Sequence, residues 1–257
     1  MDTDIWGLSF AGLAGLACGF LNTAASSGSA VSLPILMAIG LDPVTANATN
    51  RLPVLIGAMS ATGSFHRKRA IPWRSALVVA VPVTAGAGVG AILAEVIPAR
   101  DLALVITGAV LVAMLLLFTK LKSAIANAEV RDARLGAREI AIFTGIGLWL
   151  GFIVLDGATY LLLALTLAVG LPLVQANAVK TFALVPTSLL ALVIFAAKGH
   201  VDWEVGAVMA VTAIAGGLLG AKLTMSLAAR TWVFRLLVLV ILGELVHLTI
   251  HYVFETV

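Results

Sequence analysis

The sequence predicts an all-α integral membrane protein, a polytopic bundle of two inverted repeats with broken or re-entrant helices. Three observations predict it. Of its 257 residues, 61% are hydrophobic and 11% charged, whereas a soluble domain carries about 25% charged residues. The few charges punctuate apolar stretches long enough for a bilayer. The chain also matches itself at an offset of 130 residues. The same composition excludes disorder, since apolar surface is ample, and the single Cys18 excludes a disulfide scaffold. A net charge of +3 is ordinary for basic cytoplasmic loops and points to no nucleic-acid partner. Met1-Asp2-Thr3-Asp4 is acidic where a signal peptide would be basic. Cys18 reads as a small buried residue.

The elements follow in order. Ile5 to Leu41 carries no charge; as one helix it would be about 55 Å long against a hydrocarbon core of about 30 Å. The small polar run Asn22-Thr23-Ala24-Ala25-Ser26-Ser27-Gly28-Ser29 breaks it. Asp42-Pro43 is a helix-start pair, and that helix runs to about Phe65, before the basic cluster His66-Arg67-Lys68-Arg69. Trp73 to Val96 is the next span, ended by Pro98, and Leu102 to Thr119 another. Lys120 to Glu139 is the long polar stretch. Ile140 to Val179 then carries one charge, Asp156, at a second break. Pro172 opens a helix to Ala197; Trp203 to about Leu227 and Trp232 to about Val253 complete the chain. Whether the broken segments cross or dip and return decides between 8 and 10 crossings, and hydropathy leaves both open. Trp73, Trp149, Trp203 and Trp232 read as interfacial anchors.

At the 130-residue offset, Gly40-Leu41 meets Gly170-Leu171, Ala46-Asn47-Ala48 meets Ala176-Asn177-Ala178, and Phe65 and Trp73 meet Phe195 and Trp203. Gly86, Gly90 and Ala91 meet Gly216, Gly220 and Ala221, and Ala99-Arg100 meets Ala229-Arg230. The division is a first membrane repeat, 1–119, a cytoplasmic linker, 120–138, and a second membrane repeat, 139–257. By the positive-inside rule, the cluster at 66–74 and the linker with its five Lys/Arg are cytoplasmic. Lys198-Gly199-His200, followed by Asp202 and Glu204, reads as external, and Arg230 and Arg235 as cytoplasmic. The repeats are therefore expected to be inverted, the plan of many secondary transporters, with substrate near the midplane at discontinuous helices whose N-termini face anionic groups.

The polar residues left inside the spans are the candidates for chemistry. Arg51 lies eight residues past Pro43 and Lys180 eight past Pro172. A cation at the bilayer centre costs at least about 2.5–3.5 kcal/mol. The expected substrate-binding set is Arg51, Lys180, Asn47, Asn50, Asn177, Ser27, Thr49 and Thr181, the cations supplying charge and the others hydrogen bonds to a small anion. Snorkelling, or a structural pair with Asp156, are the alternatives. At the strict offset Lys180 matches Asn50 and not Arg51, so the site need not be symmetric. Asp156 and Glu244 are coupling candidates for a proton or sodium ion. Asp156 reads equally as a helix cap or a counter-ion to Lys180, and Glu244 with His247 as an interfacial pair. The Gly86-x-Gly88-x-Gly90 and Gly216-Gly217-x-x-Gly220 runs follow no strand and read as close helix packing. No cofactor or metal site is expected. An intramembrane enzyme has no support: the spans hold no H-E-x-x-H, no Asp pair and no Ser with a mid-membrane His.

These residues make the chain recognisable. It resembles the TauE/SafE family of sulfite exporters and anion permeases. The likeness rests on the small polar break at 22–29 followed by Pro34, on Gly40-Leu41-Asp42-Pro43 and Ala46-Asn47-Ala48-Thr49-Asn50-Arg51, on the basic loop before Ile71-Pro72-Trp73, and on Gly86-x-x-x-Gly90-Ala91. The break, glycine-rich in the family, is serine-rich here. The resemblance implies a secondary transporter in the bacterial inner membrane, moving sulfite, an organosulfonate or a related sulfur-containing oxyanion by alternating access, with export as the expected direction. A passive anion channel and a permease for small organic carboxylates are the alternatives. A homo-oligomer is compatible with all three.

Overall fold

Helix α1, Ile5–Ala25, ends at Ser26, whose backbone turns to φ +64°. The chain reverses there, and α2, Gly28–Ala38, packs back along α1. A Cβ at Gly28 would overlap the Cys18 carbonyl, and Cys18 and Ser32 meet at the same Asn50 side chain. The rest of the first half is α3, Pro43–Thr49, α4, Arg51–Arg67, and α5, Trp73–Val96. The second half has α6, Ala137–Phe152, α7, Gly157–Leu167, α8, Leu173–Ala197, and α9, Trp203–Thr224. This computed structural model describes residues 5–96, 136–155 and 157–226. The expected span at 102–119, the linker as far as residue 135, the last span with Glu244 and His247, and Asp156 lie outside the described residues.

All described elements are helices, and Trp6–Ala25, Trp73–Val96, Leu173–Ala197 and Trp203–Thr224 are long and apolar enough to cross a bilayer. The chain is a multi-pass membrane protein. The 11 residues each of α2 and α7 make about 16 Å of helix, roughly half the hydrocarbon thickness. Local sequence sets the boundaries. Asp42 caps α3, its carboxylate accepting the Val44 and Thr45 amides at 3.0 and 3.2 Å, with Pro43 at the first position. Asp202 caps α9 through the Val205 amide at 3.0 Å. Gly199 (φ +77°) and Arg69 (φ +53°), 130 positions apart, hold the left-handed turns that end α8 and α4.

Three expectations need adjustment. Only Ser26 and Ser27 of the polar run 22–29 are non-helical, because the side chain of Asn22 satisfies the Gly28 amide at 3.1 Å and lets helix resume at once. The helix from Pro43 is interrupted at Asn50, three residues before Pro53, which has no amide to donate. Trp149 is no interfacial anchor: its indole N–H donates to the Leu155 carbonyl at 2.9 Å and its ring meets Phe152 and Tyr160, bracing the second break. Trp73 and Trp203 are exposed at helix starts as expected.

Backbone seams join the halves; in one, a Cβ at Gly217 of α9 would overlap the Gly57 carbonyl of α4. A Cβ at Gly15 or Gly19 of α1 would overlap the Met209 or Ala213 carbonyl of α9, and one at Gly216 or Gly220 would overlap the Leu16 or Phe20 carbonyl. A Cβ at Gly86 or Gly90 of α5 would overlap the Thr144 or Leu148 carbonyl of α6, and one at Gly147 or Gly151 the Val83 or Ala87 carbonyl. Only glycine permits so close an approach. The seams reveal a match invisible at the 130-residue offset. Gly15-Leu16-x-x-Gly19-Phe20 equals Gly147-Leu148-x-x-Gly151-Phe152 at an offset of 132, because the stretch from Gly19 to Asn47 is two residues longer than that from Gly151 to Asn177.

Two apolar clusters lie toward the ends of the bundle. One joins Ala46 and Ala48 of α3 to Leu192 and Phe195 of α8. The other joins Ala61 and Phe65 of α4 to Ala176 and Val179 of α8. The rod α3–α4 therefore runs antiparallel to α8. His200 Nδ1 pairs with Glu95 Oε1 at 2.9 Å, which sets the 198–202 loop at the end of α5, while the 68–72 loop leads into its start.

Candidate functional site

All eight residues expected to bind substrate are buried. Their grouping follows from one problem of membrane folding. A helix that stops inside a bilayer leaves four carbonyls without amide partners, and no water is there to take them.

The end of α6 solves this with residues of the first half. The Trp149 carbonyl accepts the Ile153 amide at 2.8 Å. Arg51 donates through Nη1 to the Leu150 carbonyl and through Nη2 to that of Gly151 at 2.8 Å. Asn47 donates through Nδ2 to the Phe152 carbonyl at 3.1 Å and accepts the Val154 amide at 3.1 Å. Asn47 also accepts a long bond from Arg51 Nη2 at 3.4 Å. The Phe195 ring lies 5.4 Å from the guanidinium carbon. Positive charge is favoured at this negative end of the helix dipole.

The end of α1 is closed from the second half. Lys180 Nζ donates to the Asn22 carbonyl at 2.6 Å and to Ser26 Oγ at 2.9 Å. Thr224 reaches the Thr23 carbonyl at 3.5 Å, and Ser27 Oγ donates to Ala25 at 3.2 Å. The Ser26 carbonyl accepts the Thr159 hydroxyl at 3.2 Å, and the Ser27 and Thr159 hydroxyls are 3.5 Å apart. Ser27 is the residue before α2 and Thr159 the third of α7, so the N-termini of the two short helices meet.

Both cations are thus neither snorkelled nor, among the described residues, ion-paired, since Glu95–His200 is the one ion pair there. They face the C-termini of α6 and α1, while the N-termini of α2 and α7 meet at Ser27 and Thr159. The remaining predicted residues are drawn into separate bonds. Asn50 Oδ1 accepts Ser32 Oγ at 2.7 Å and lies 3.7 Å from Cys18 Sγ. Thr49 accepts the Asp202 amide at 3.0 Å, and Asn177 Nδ2 reaches Thr224 at 3.4 Å. Buried atoms left without a partner include Arg51 Nε, Asn50 Nδ2, Asn177 Oδ1, Thr181 Oγ1 and Ser29 Oγ. Asp156 and Glu244 fall outside the described residues. The binding set expected from the sequence left out Asn22, Ser26, Thr159 and Thr224, although Asn22 and Ser26 lie in the first polar break and Thr159 at the second. Counting the carbonyls orphaned by each break would have pointed to them.

Residues 11–246 match the family described as sulfite exporter TauE/SafE. The chain belongs to the TauE/SafE family. Among its relatives is a "Probable membrane transporter protein" of Haemophilus influenzae, 28% identical over 230 residues, 88% of each chain. YfcA of Escherichia coli K12, "Probable membrane transporter protein YfcA", is 28% identical over 210 residues, 81% of this chain and 77% of that one. "Probable membrane transporter protein ORF9" of Sinorhizobium sp is 26% identical over 225 residues, 87% and 85% of the two chains. No solved structure matches. A TauE/SafE chain with these relatives is a membrane transporter.

Proposed function

We propose that this protein carries a small oxyanion, sulfite or a small organosulfonate, out across the bacterial inner membrane by alternating access. One observation carries the reading: two fully buried cations, Arg51 and Lys180, hold the two helix breaks with no carboxylate beside them among the described residues. The breaks touch at Ser27 and Thr159, so the positive ends of α2 and α7 add to the same field. A positively polarised site of this kind favours an anion. The family description favours sulfur-containing oxyanions.

An inverted arrangement of the two repeats would suit alternating access. The equivalent loops 68–72 and 198–202 flank opposite ends of α5, and the equivalent rods α3–α4 and α8 run antiparallel. The full burial of both cations favours a carrier over an open channel.

The test is thermal unfolding of the purified protein across sulfite, sulfate, thiosulfate, small sulfonates and carboxylates. A ligand at a hundred times its dissociation constant stabilises by about 2.7 kcal/mol. Arg51→Ala and Lys180→Ala should abolish both that shift and transport in proteoliposomes. Unchanged transport in both variants would sink the proposal, and a shift with carboxylates alone would reassign the substrate.

A further inference from the structure

Arg51 and Lys180 have no exposed surface, yet neither lacks oxygen partners. Arg51 holds the carbonyls of Leu150 and Gly151 and touches Asn47 Oδ1. Lys180 holds the Asn22 carbonyl and Ser26 Oγ. The three carbonyls are terminal groups of α6 and α1, the negative ends of two helix dipoles. Each of these carbonyl contacts also runs from one half of the chain to the helix end of the other. The closed arrangement therefore satisfies both cations from within the chain. An oxyanion can reach them only as these contacts part, because neither cation has a face open to solvent.

This matters for the step in which a carrier returns unloaded. Two bare cations cannot be closed off in a bilayer interior at a useful rate. A carrier built so that its unloaded site stays charged and unmatched is confined to exchange, because only a loaded site can close. Here the chain supplies its own oxygens.

We infer that the helix-end carbonyls of α1 and α6, with Ser26 Oγ, stand in for substrate oxygens during the unloaded return, so that the protein carries out net flux and not obligatory exchange. This inference rests on the anion-carrier reading above and concerns the mode of that transport. Ser26 is then a positioning residue: it acts through Lys180 and only in the unloaded step. Its φ of +64° suits glycine, so Ser26→Gly removes the hydroxyl without backbone strain.

The experiment uses the full chain in proteoliposomes loaded with radiolabelled sulfite, the membrane potential clamped with potassium and valinomycin. Efflux into sulfite-free buffer is compared with efflux into buffer containing unlabelled sulfite. Net efflux within about threefold of exchange is expected, and exchange tenfold or more faster overturns the inference while leaving the carrier reading intact. Ser26→Gly is expected to slow net efflux severalfold with exchange unchanged. Equal slowing of both, or of neither, removes the stand-in role. If folded protein supports neither net efflux nor exchange of sulfite, the carrier reading falls and the inference with it.

Discussion

The guanidinium of Arg51 and the carbonyl oxygen of Gly151 lie 2.8 Å apart across 100 positions of sequence. With the neighbouring bond to Leu150, this contact makes one side chain the cap of a helix that stops inside the membrane. Planarity matters here, since the guanidinium aims two nitrogens of a rigid fork at two adjacent carbonyls, whereas an ammonium must reach both from a single nitrogen. Arg51→Lys should therefore leave one carbonyl of α6 unpaired and lower stability by about 1–3 kcal/mol. Thermal unfolding of the two proteins side by side decides it; equal midpoints would show that the arginine is not a cap.

The glycine seams give a sharper contrast. Gly90→Ala and Gly151→Ala each drive a methyl into a carbonyl of the facing helix. That backbone cannot yield like a side chain, and we expect a loss of about 1–3 kcal/mol or failure to assemble. At Gly63 and Gly145 an added Cβ meets nothing within 4 Å, so alanine there should be neutral or stabilising by roughly 0.5–1 kcal/mol. The order of the four midpoints is the readout, and a destabilised Gly145→Ala beside an unaffected Gly151→Ala would contradict the packing.

Thr181 separates folding from transport. Its hydroxyl is buried without a partner, an arrangement that costs about 1–3 kcal/mol. Thr181→Val should raise the unfolding midpoint by the equivalent of about 1 kcal/mol while slowing anion transport. Faster or unchanged transport in the stabilised variant would remove Thr181 from the substrate-binding set.

Orientation can be read from two single-cysteine positions. Cys18 is fully buried and leaves the background silent. Lys198→Cys, at the end of α8, should react with an impermeant maleimide in intact cells. Lys68→Cys, after α4, should react only once the membrane is opened, because the positive-inside rule puts a basic cluster of this kind on the cytoplasmic side. Labelling of both from one side would refute the inverted arrangement.

Much of the fold was legible because charge is so scarce. Asp42-Pro43, Pro172 and Trp203 mark helix starts in plain sequence, and the structure places α3, α8 and α9 there. Arg51 and Lys180 stood out as charges in apolar runs. Their partners did not, since those are mostly backbone carbonyls and carbonyls have no letter in a sequence. The first helix of the second half hid its likeness to α1 for a simpler reason: two extra residues between Gly19 and Asn47 shift the register, and an ungapped comparison cannot follow it. Trp149 misled because an indole near a span end and an indole bracing a helix break look alike until the Leu155 carbonyl is found beneath it.

The glycine seams bear on how such a protein moves. Where backbone lies on backbone, no side chain stands between to change rotamer, and a push on one helix reaches the next without slack. Each seam splices a helix from one half of the chain to a helix of the other. Bodies that travel as units would thus be α1 and α4 with α9, and α5 with α6, each of mixed parentage, and a hinge cannot follow the midpoint of the chain. The crossing of α4 with α8, where no glycine mediates the contact, is the place left to slide. Both cations ride on that crossing, so whatever displaces them also turns the joint.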